Sequence, residues 1–203
     1  RAWPEPEARP SSESLSKVIQ LYNAYLVMET PEGMLVIDQH ALHERILFEK
    51  IKARIQEGSL EKQQLLIPEP VELSPEQASK ALEHRDALRD LGLEIDAFGG
   101  STILVTAFPA IMQKRAPSEI LKAVVDHLMT EERAPTREVL LNDLMSLMAC
   151  HSAVRAGDRL STEQMLSLIA QRDLADDTHH CPHGRPTALL FTRQELDRQF
   201  RRA

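Results

Sequence analysis

The chain has no apolar run near the roughly 18 residues that a bilayer-spanning helix requires, so a membrane-spanning helical role is excluded. Residues 1–10, RAWPEPEARP, are polar and proline-rich and show no signal-peptide pattern, so no export signal is expected. No initiator methionine opens the sequence, and the chain is therefore expected to be a fragment of a longer protein. Basic charge is scarce: 24 Lys and Arg stand against 31 Asp and Glu, for a net charge of −7. A domain that grips DNA by itself carries a clustered basic surface. Binding to double-stranded DNA is thus expected to be weak alone and assisted by another domain or partner. Cysteine is rare too, with two in the chain. Without an export signal, and with His183 two residues from Cys181, metal binding is expected in preference to a disulfide. There is no internal repeat.

What is present fits a globular protein of 203 residues, enough for one large domain or two small lobes. Apolar residues make up 42% and charged residues 27%, ordinary proportions for the cytosol. Residues 1–12 read as the end of a linker. Lys17 to Glu29 predicts a strand, Pro31-Glu32-Gly33 a turn and Met34 to Ile37 a short buried strand, a hairpin that ends at Asp38. Leu47, Ile51 and Ile55 then recur at helical spacing, with Gly58 as the stop. Gln64 to Ile67 and Val71 to Leu73 read as extended, interrupted by Pro68 and Pro70. Ser74-Pro75-Glu76-Gln77 is a capping box that predicts one helix to about Leu91. A second hairpin is expected over Leu93 to Ala97 and Thr102 to Ala107. Helices are expected from a Ser118 cap to Met129, from Glu138 to Ala156, and from the Ser161 to Gln164 capping box to Gln171. A polar loop, Asp173 to Pro186, precedes a strand over Thr187 to Phe191 and a helix over Gln194 to Arg202. The order is that of an α+β fold with antiparallel hairpins packed against helices.

Two distant segments carry the chemistry. In Asp38-Gln39-His40-Ala41-Leu42-His43-Glu44, Asp38 stands where a strand meets a helix, and His40 and Glu44 lie one turn apart on one face. In Cys181-Pro182-His183-Gly184-Arg185-Pro186, the proline favours extended backbone that lets the flanking side chains point the same way. Carboxylate, imidazole and thiolate are the side chains that bind divalent metals. Cys150 can add a second thiolate, although a lone cysteine in an apolar helix is commonly a small core residue. Glu49 is about 140° around the helix from Glu44 and better placed to orient a ligand than to bind the same ion. Arg185 and Arg193 suit phosphate oxygens, and a structural ion pair is the competing use of each.

These residues resemble the C-terminal endonuclease domain of the MutL family of DNA mismatch-repair proteins. The signature of the nicking members is Asp-Gln-His-Ala, two residues, Glu, four residues, Glu. It is complete here as DQHALHERILFE, Asp38 to Glu49. Ala149-Cys150, Cys181 to Pro186 and Phe191-Thr192-Arg193 match in the family's order, with His151 where Arg or Lys is usual. The resemblance implies a bacterial, cytoplasmic protein acting at the nucleoid, in two lobes: a dimerisation lobe (11–63 and 138–203) and an external regulatory lobe (64–137). It implies a homodimer and an N-terminal ATPase half elsewhere in the same protein. No ATP site is expected in this stretch. Asp38 and Glu44 would be catalytic, His40, Glu44, Cys150, Cys181 and His183 would hold metal, and Glu49, Arg185 and Arg193 would support a ligand or phosphate. The donor mixture implies Zn²⁺ beside Mn²⁺, with Mg²⁺ as a substitute.

Gln63-Gln64-Leu65-Leu66-Ile67-Pro68 resembles the peptide by which MutL proteins engage the sliding clamp, a Gln anchor with aliphatic residues for an apolar groove. Read without that resemblance it is an ordinary core strand. Two rival functions also fit the chain: a non-catalytic dimerisation scaffold, and a structural zinc domain that unfolds when its metal is removed.

Overall fold

The computed structural model describes residues 18–58, 60–113, 115–130, 137–172, 181–182 and 184–202. Two compact units make up the chain: the described residues of 1–49 and 153–203 form the first, and those of 50–152 the second. The resemblance implies lobe boundaries near 63/64 and 137/138, whereas the compact units divide at 49/50 and 152/153. Residues 50–56 of the first long helix and the whole of the 137–152 helix group with the middle stretch.

The first unit is built on a four-stranded antiparallel sheet in the order β1-β2-β3-β7, from β1 (Ile19–Leu21), β2 (Tyr25–Thr30), β3 (Gly33–Asp38) and β7 (Ala188–Thr192). Period-two alternation sends Leu26, Met28, Leu35 and Ile37 to one face, where they are buried. They cluster with Leu42 and Ile46 of α1 (Gln39–Gln56) and with Met165, Leu168 and Ile169 of α6 (Thr162–Arg172). Each such side chain contributes about 1.5–3 kcal/mol over its exposed state. The opposite face is apolar as well. Ile19, Val27, Val36 and Leu189 form one row across all four strands, and Met34 pairs with Phe191 in another. Ile19, Leu21, Tyr25, Leu189 and Phe191 are exposed there. The sheet also demands close backbone approach at Gly33, where a Cβ would lie 2.2 Å from the Phe191 carbonyl oxygen.

The second unit holds a three-stranded antiparallel sheet in the order β4-β6-β5, from β4 (Lys62–Glu72), β5 (Glu94–Gly99) and β6 (Thr102–Pro109). Packed with it are α2 (Pro75–Glu83), α3 (Arg85–Asp90) and α4 (Pro117–Thr130), while α5 (Arg137–Ser152) lies against α3 and a 3₁₀ turn at Ala110–Met112. No helix of the described residues is long and apolar enough to cross a membrane.

Several local expectations need correction. The strand expected over Lys17 to Glu29 is two strands, broken by Tyr22 and Asn23 at φ 55° and 50°. Ala24 N–H donates to Leu21 C=O at 3.0 Å, closing a two-residue turn whose paired positive φ values match strand twist. The single helix expected from Ser74 to Leu91 divides at His84 (φ −100°, ψ 15°), though its capping box forms as read. Helix α4 starts at Pro117, so Ser118 lies inside its first turn rather than at the cap. Helix α5 stops at Ser152, before Ala156. Strand β4 runs through both prolines, which an edge strand tolerates because half of its N–H groups need no partner.

Candidate metal centre

Asp38 ends β3 and starts α1. Its N–H donates to Thr187 C=O at 2.9 Å, and its Oδ1 accepts from the N–H groups of His40 (2.9 Å) and Ala41 (3.0 Å). That is a helix N-cap, with the carboxylate at the positive end of the helix dipole. One oxygen serves the cap, and Oδ2 takes no part in it.

The neighbouring Gln39 is fully buried. Its Nε2 faces the carbonyls of Asn23 (2.8 Å), Arg155 (2.9 Å) and Asp158 (3.2 Å), and its Oε1 accepts from Gln20 Nε2 at 2.7 Å. Three carbonyls around one nitrogen fix the orientation of the amide. Gln20 in turn donates to Asp158 C=O (2.8 Å) and accepts from Leu160 N–H (3.2 Å). The two glutamines thereby fasten the start of α1 to β1 and to the 155–160 segment.

Two histidines of α1 hold the backbone of Val154. His40 Nδ1 lies 2.8 Å from Val154 C=O, and Val154 N–H donates to His43 Nδ1 at 3.0 Å. The carbonyl requires the Nδ1–H tautomer of His40, which leaves the Nε2 lone pair as the atom able to bind a metal. His43 takes the opposite tautomer.

One turn beyond His40, Glu44 has 0% exposure. Its Oε2 lies 3.4 Å from Arg185 Nη2. Arg185 also hydrogen-bonds the side chain of Cys181, which is 2% exposed. The loop that carries both is closed by Cys181 N–H to Arg185 C=O and Gly184 N–H to Cys181 C=O, each 2.8 Å, with Gly184 at φ 78°. The hydrogen bond to Cys181 raises the Arg185 pKa above its ordinary value; burial lowers it, and the charges of Cys181, Glu44 and Asp38 raise it further. The two distant segments thus meet inside the first unit, on one guanidinium.

Glu49 and Arg193 have partners of their own. Glu49 pairs with Arg45 at 2.6 Å, one turn along α1, and Arg45 lies over the Phe48 ring. Arg193 pairs with Asp197 on α7 (Arg193–Gln199) at 3.8 Å and is exposed. Cys150 is half-buried in the last turn of α5, in the second unit, and neither cysteine forms a disulfide. His183 lies outside the described residues. The Gln63 to Pro68 segment also belongs to the second unit. Gln64 pairs with Ala107 and Glu69 with Val105, so four residues of β4 oppose a single residue of β6. Leu65 to Pro68 bulge out of the ladder as a result, and Leu66 and Ile67 are 98% and 80% exposed.

Gln39, Gln20 and His43 act as positioning residues that the motif does not announce. The 40/43 spacing on one helix face was a usable signal; the two glutamines, neutral and 19 positions apart, gave none.

The donor set fits a divalent cation. Glu44 offers a buried carboxylate oxygen, Cys181 a buried sulfur on the same guanidinium, and His40 keeps a nitrogen lone pair. Arg185, the cation beside Glu44, is itself 57% exposed.

Comparison with known proteins agrees with the family resemblance. Residues 18–160 match the family described as the MutL C terminal dimerisation domain. The DNA mismatch repair protein MutL of Phenylobacterium zucineum is 36% identical over 183 residues, 90% of this chain and 29% of that protein. The protein of that name from Bartonella tribocorum is 35% identical over 202 residues, 97% of this chain and 33% of its own. That from Geotalea daltonii is 34% identical over 202 residues, 99% and 34% respectively. The chain spans about a third of the length of these curated relatives.

Proposed function

We propose, from the premise that this chain belongs to the MutL C-terminal dimerisation domain family, that it is a metal-dependent DNA-nicking endonuclease domain of mismatch repair. The observation that carries this reading is the convergence of Glu44 and Cys181 on Arg185, beside the helix start that holds Asp38 and His40. His40, Glu44 and Cys181 would hold Zn²⁺ or Mn²⁺, Mg²⁺ being the substitute for Mn²⁺; the resemblance adds Cys150 and His183. A bound divalent ion supplies hydroxide and neutralises charge that builds on the phosphate during attack.

The chain's own groups set the geometry. Asp38 commits Oδ1 to the cap and offers Oδ2 as the catalytic carboxylate, held in place by the same bonds that start α1. Glu44 presents its carboxylate from a fully buried position. Arg185 and Arg193 would steady the phosphate, since a planar guanidinium matches its oxygens. Glu49, tied to Arg45, supports α1 from the side.

Two interactions complete the reading. A second copy of the chain covers the exposed apolar face of the four-stranded sheet, consistent with a dimerisation domain. The sliding clamp receives Gln63 to Pro68, because the bulge of β4 presents Leu66 and Ile67 to solvent where a core strand would hide them. Clamp delivery also suits a chain of net charge −7, which binds DNA weakly alone. The protein then works in the bacterial cytoplasm with its ATPase half.

The test is nicking of supercoiled plasmid with Mn²⁺. Wild type is expected to nick, and Asp38→Asn to lose nicking while its melting temperature holds, since Asn also caps helices. Undiminished nicking by the folded variant overturns the catalytic role of Asp38. No nicking by wild type favours the non-catalytic zinc-binding scaffold.

A further inference from the structure

Arg185 occupies an unusual position: its side chain is more than half exposed, yet its charged end reaches two side chains that water does not. The separation from Glu44 Oε2, 3.4 Å, is long beside the roughly 2.7–2.9 Å of a strong charge-assisted hydrogen bond. The pair is therefore loose, and its outer partner can return to water at little cost. The loop does not depend on the guanidinium for its shape, because the backbone bonds of Cys181, Gly184 and Arg185 close it.

A divalent ion bound to the same donors would sit about 2.0–2.3 Å from oxygen and sulfur. That is the space into which the guanidinium N–H groups point, so ion and guanidinium exclude each other there by size and by like charge. We propose that Arg185 is the stand-in cation of the metal-free protein: it neutralises Glu44 and Cys181 until a divalent ion arrives, and ion binding displaces it from both. The inference rests on the metal reading above and adds an exchange between two charged states of one site. Displacement also releases the guanidinium for the phosphate role assigned to it.

The experiment compares the full chain with Arg185→Gln and Arg185→Lys. Zn²⁺ affinity is read by competition with a chromophoric chelator, and thermal melting is read with and without Zn²⁺. Removing the competitor in Arg185→Gln should tighten Zn²⁺ binding roughly three- to tenfold. Arg185→Lys keeps a charge and should stay near wild type. The metal-free Arg185→Gln protein should melt lower than metal-free wild type, while the two Zn²⁺-loaded proteins melt together. Equal or weaker Zn²⁺ binding by Arg185→Gln overturns the proposal. So does an equal loss of melting temperature with and without Zn²⁺, which is the mark of a structural ion pair. A wild-type chain that binds no Zn²⁺ overturns the metal reading itself and this inference with it, whereas unchanged affinity in the variant overturns the exchange alone.

Discussion

Replacing Gln39 by Ala isolates what holds the candidate centre in place. The side chain spends two amide protons on the Asn23, Arg155 and Asp158 carbonyls and accepts one proton from Gln20, so about three hydrogen bonds disappear. At about 1 kcal/mol net each, the loss is about 3 kcal/mol. Two of the stranded carbonyls keep other donors: Gly157 N–H remains on Asn23 at 2.8 Å, and Gln20 Nε2 on Asp158 at 2.8 Å. Their residual satisfaction trims the figure, while the small cavity left by the buried side chain adds to it. The expected cost is about 2–3 kcal/mol, a fall in melting temperature of roughly 4–12 °C for a protein of this size. The assay is thermal denaturation of wild type and Gln39→Ala, metal-free, in one buffer. A fall under about 2 °C would show that the glutamine pair carries no weight, and the start of α1 would need another anchor.

Other consequences follow from the same geometry. Gly33→Ala sets a methyl 2.2 Å from the Phe191 carbonyl, so β3 and β7 must part; a loss of about 1–3 kcal/mol is expected in denaturant titration, and wild-type stability would refute the close approach. Gln63→Ala with Ile67→Ala removes exposed groups, so stability should change by less than about 0.5 kcal/mol while clamp-dependent stimulation of nicking disappears. Unchanged stimulation would remove the clamp assignment. Ile19→Lys with Leu189→Glu puts charges at both ends of one row on the outer sheet face. Sedimentation should show the variant as monomer where wild type is a dimer, and an intact dimer would place the interface elsewhere.

The parts of this structure that were legible in the sequence are those governed by local chemistry. The Ser74 and Ser161 capping boxes form between the residues that announce them, and the apolar run Met34 to Ile37 marks a strand that exists. The failures share a cause, in that the deciding partner is remote or atypical. Tyr22 is no turn former, yet it takes φ 55° because β1 and β2 pair closely on either side of it. In β4 the aliphatic run reads as core, but the bulge against β6 turns it to solvent, and a register shift belongs to two strands rather than one. At the centre, periodicity places His40 and Glu44 on one helix face, whereas the nearness of Glu44 to Arg185 depends on how β7 returns to β3. The family signature supplied that link; spacing alone did not.

The central claim, that Asp38 to Glu44 and Cys181 to Arg185 converge to hold a divalent ion, is tested most directly by elemental analysis of the purified chain after dialysis. Wild type is expected to retain Zn²⁺, with the metal lost from both Glu44→Gln and Cys181→Ser and kept by Arg193→Gln, whose guanidinium pairs on α7. A wild-type chain free of metal after Zn²⁺ loading, or variants that hold as much zinc as wild type, would contradict the account.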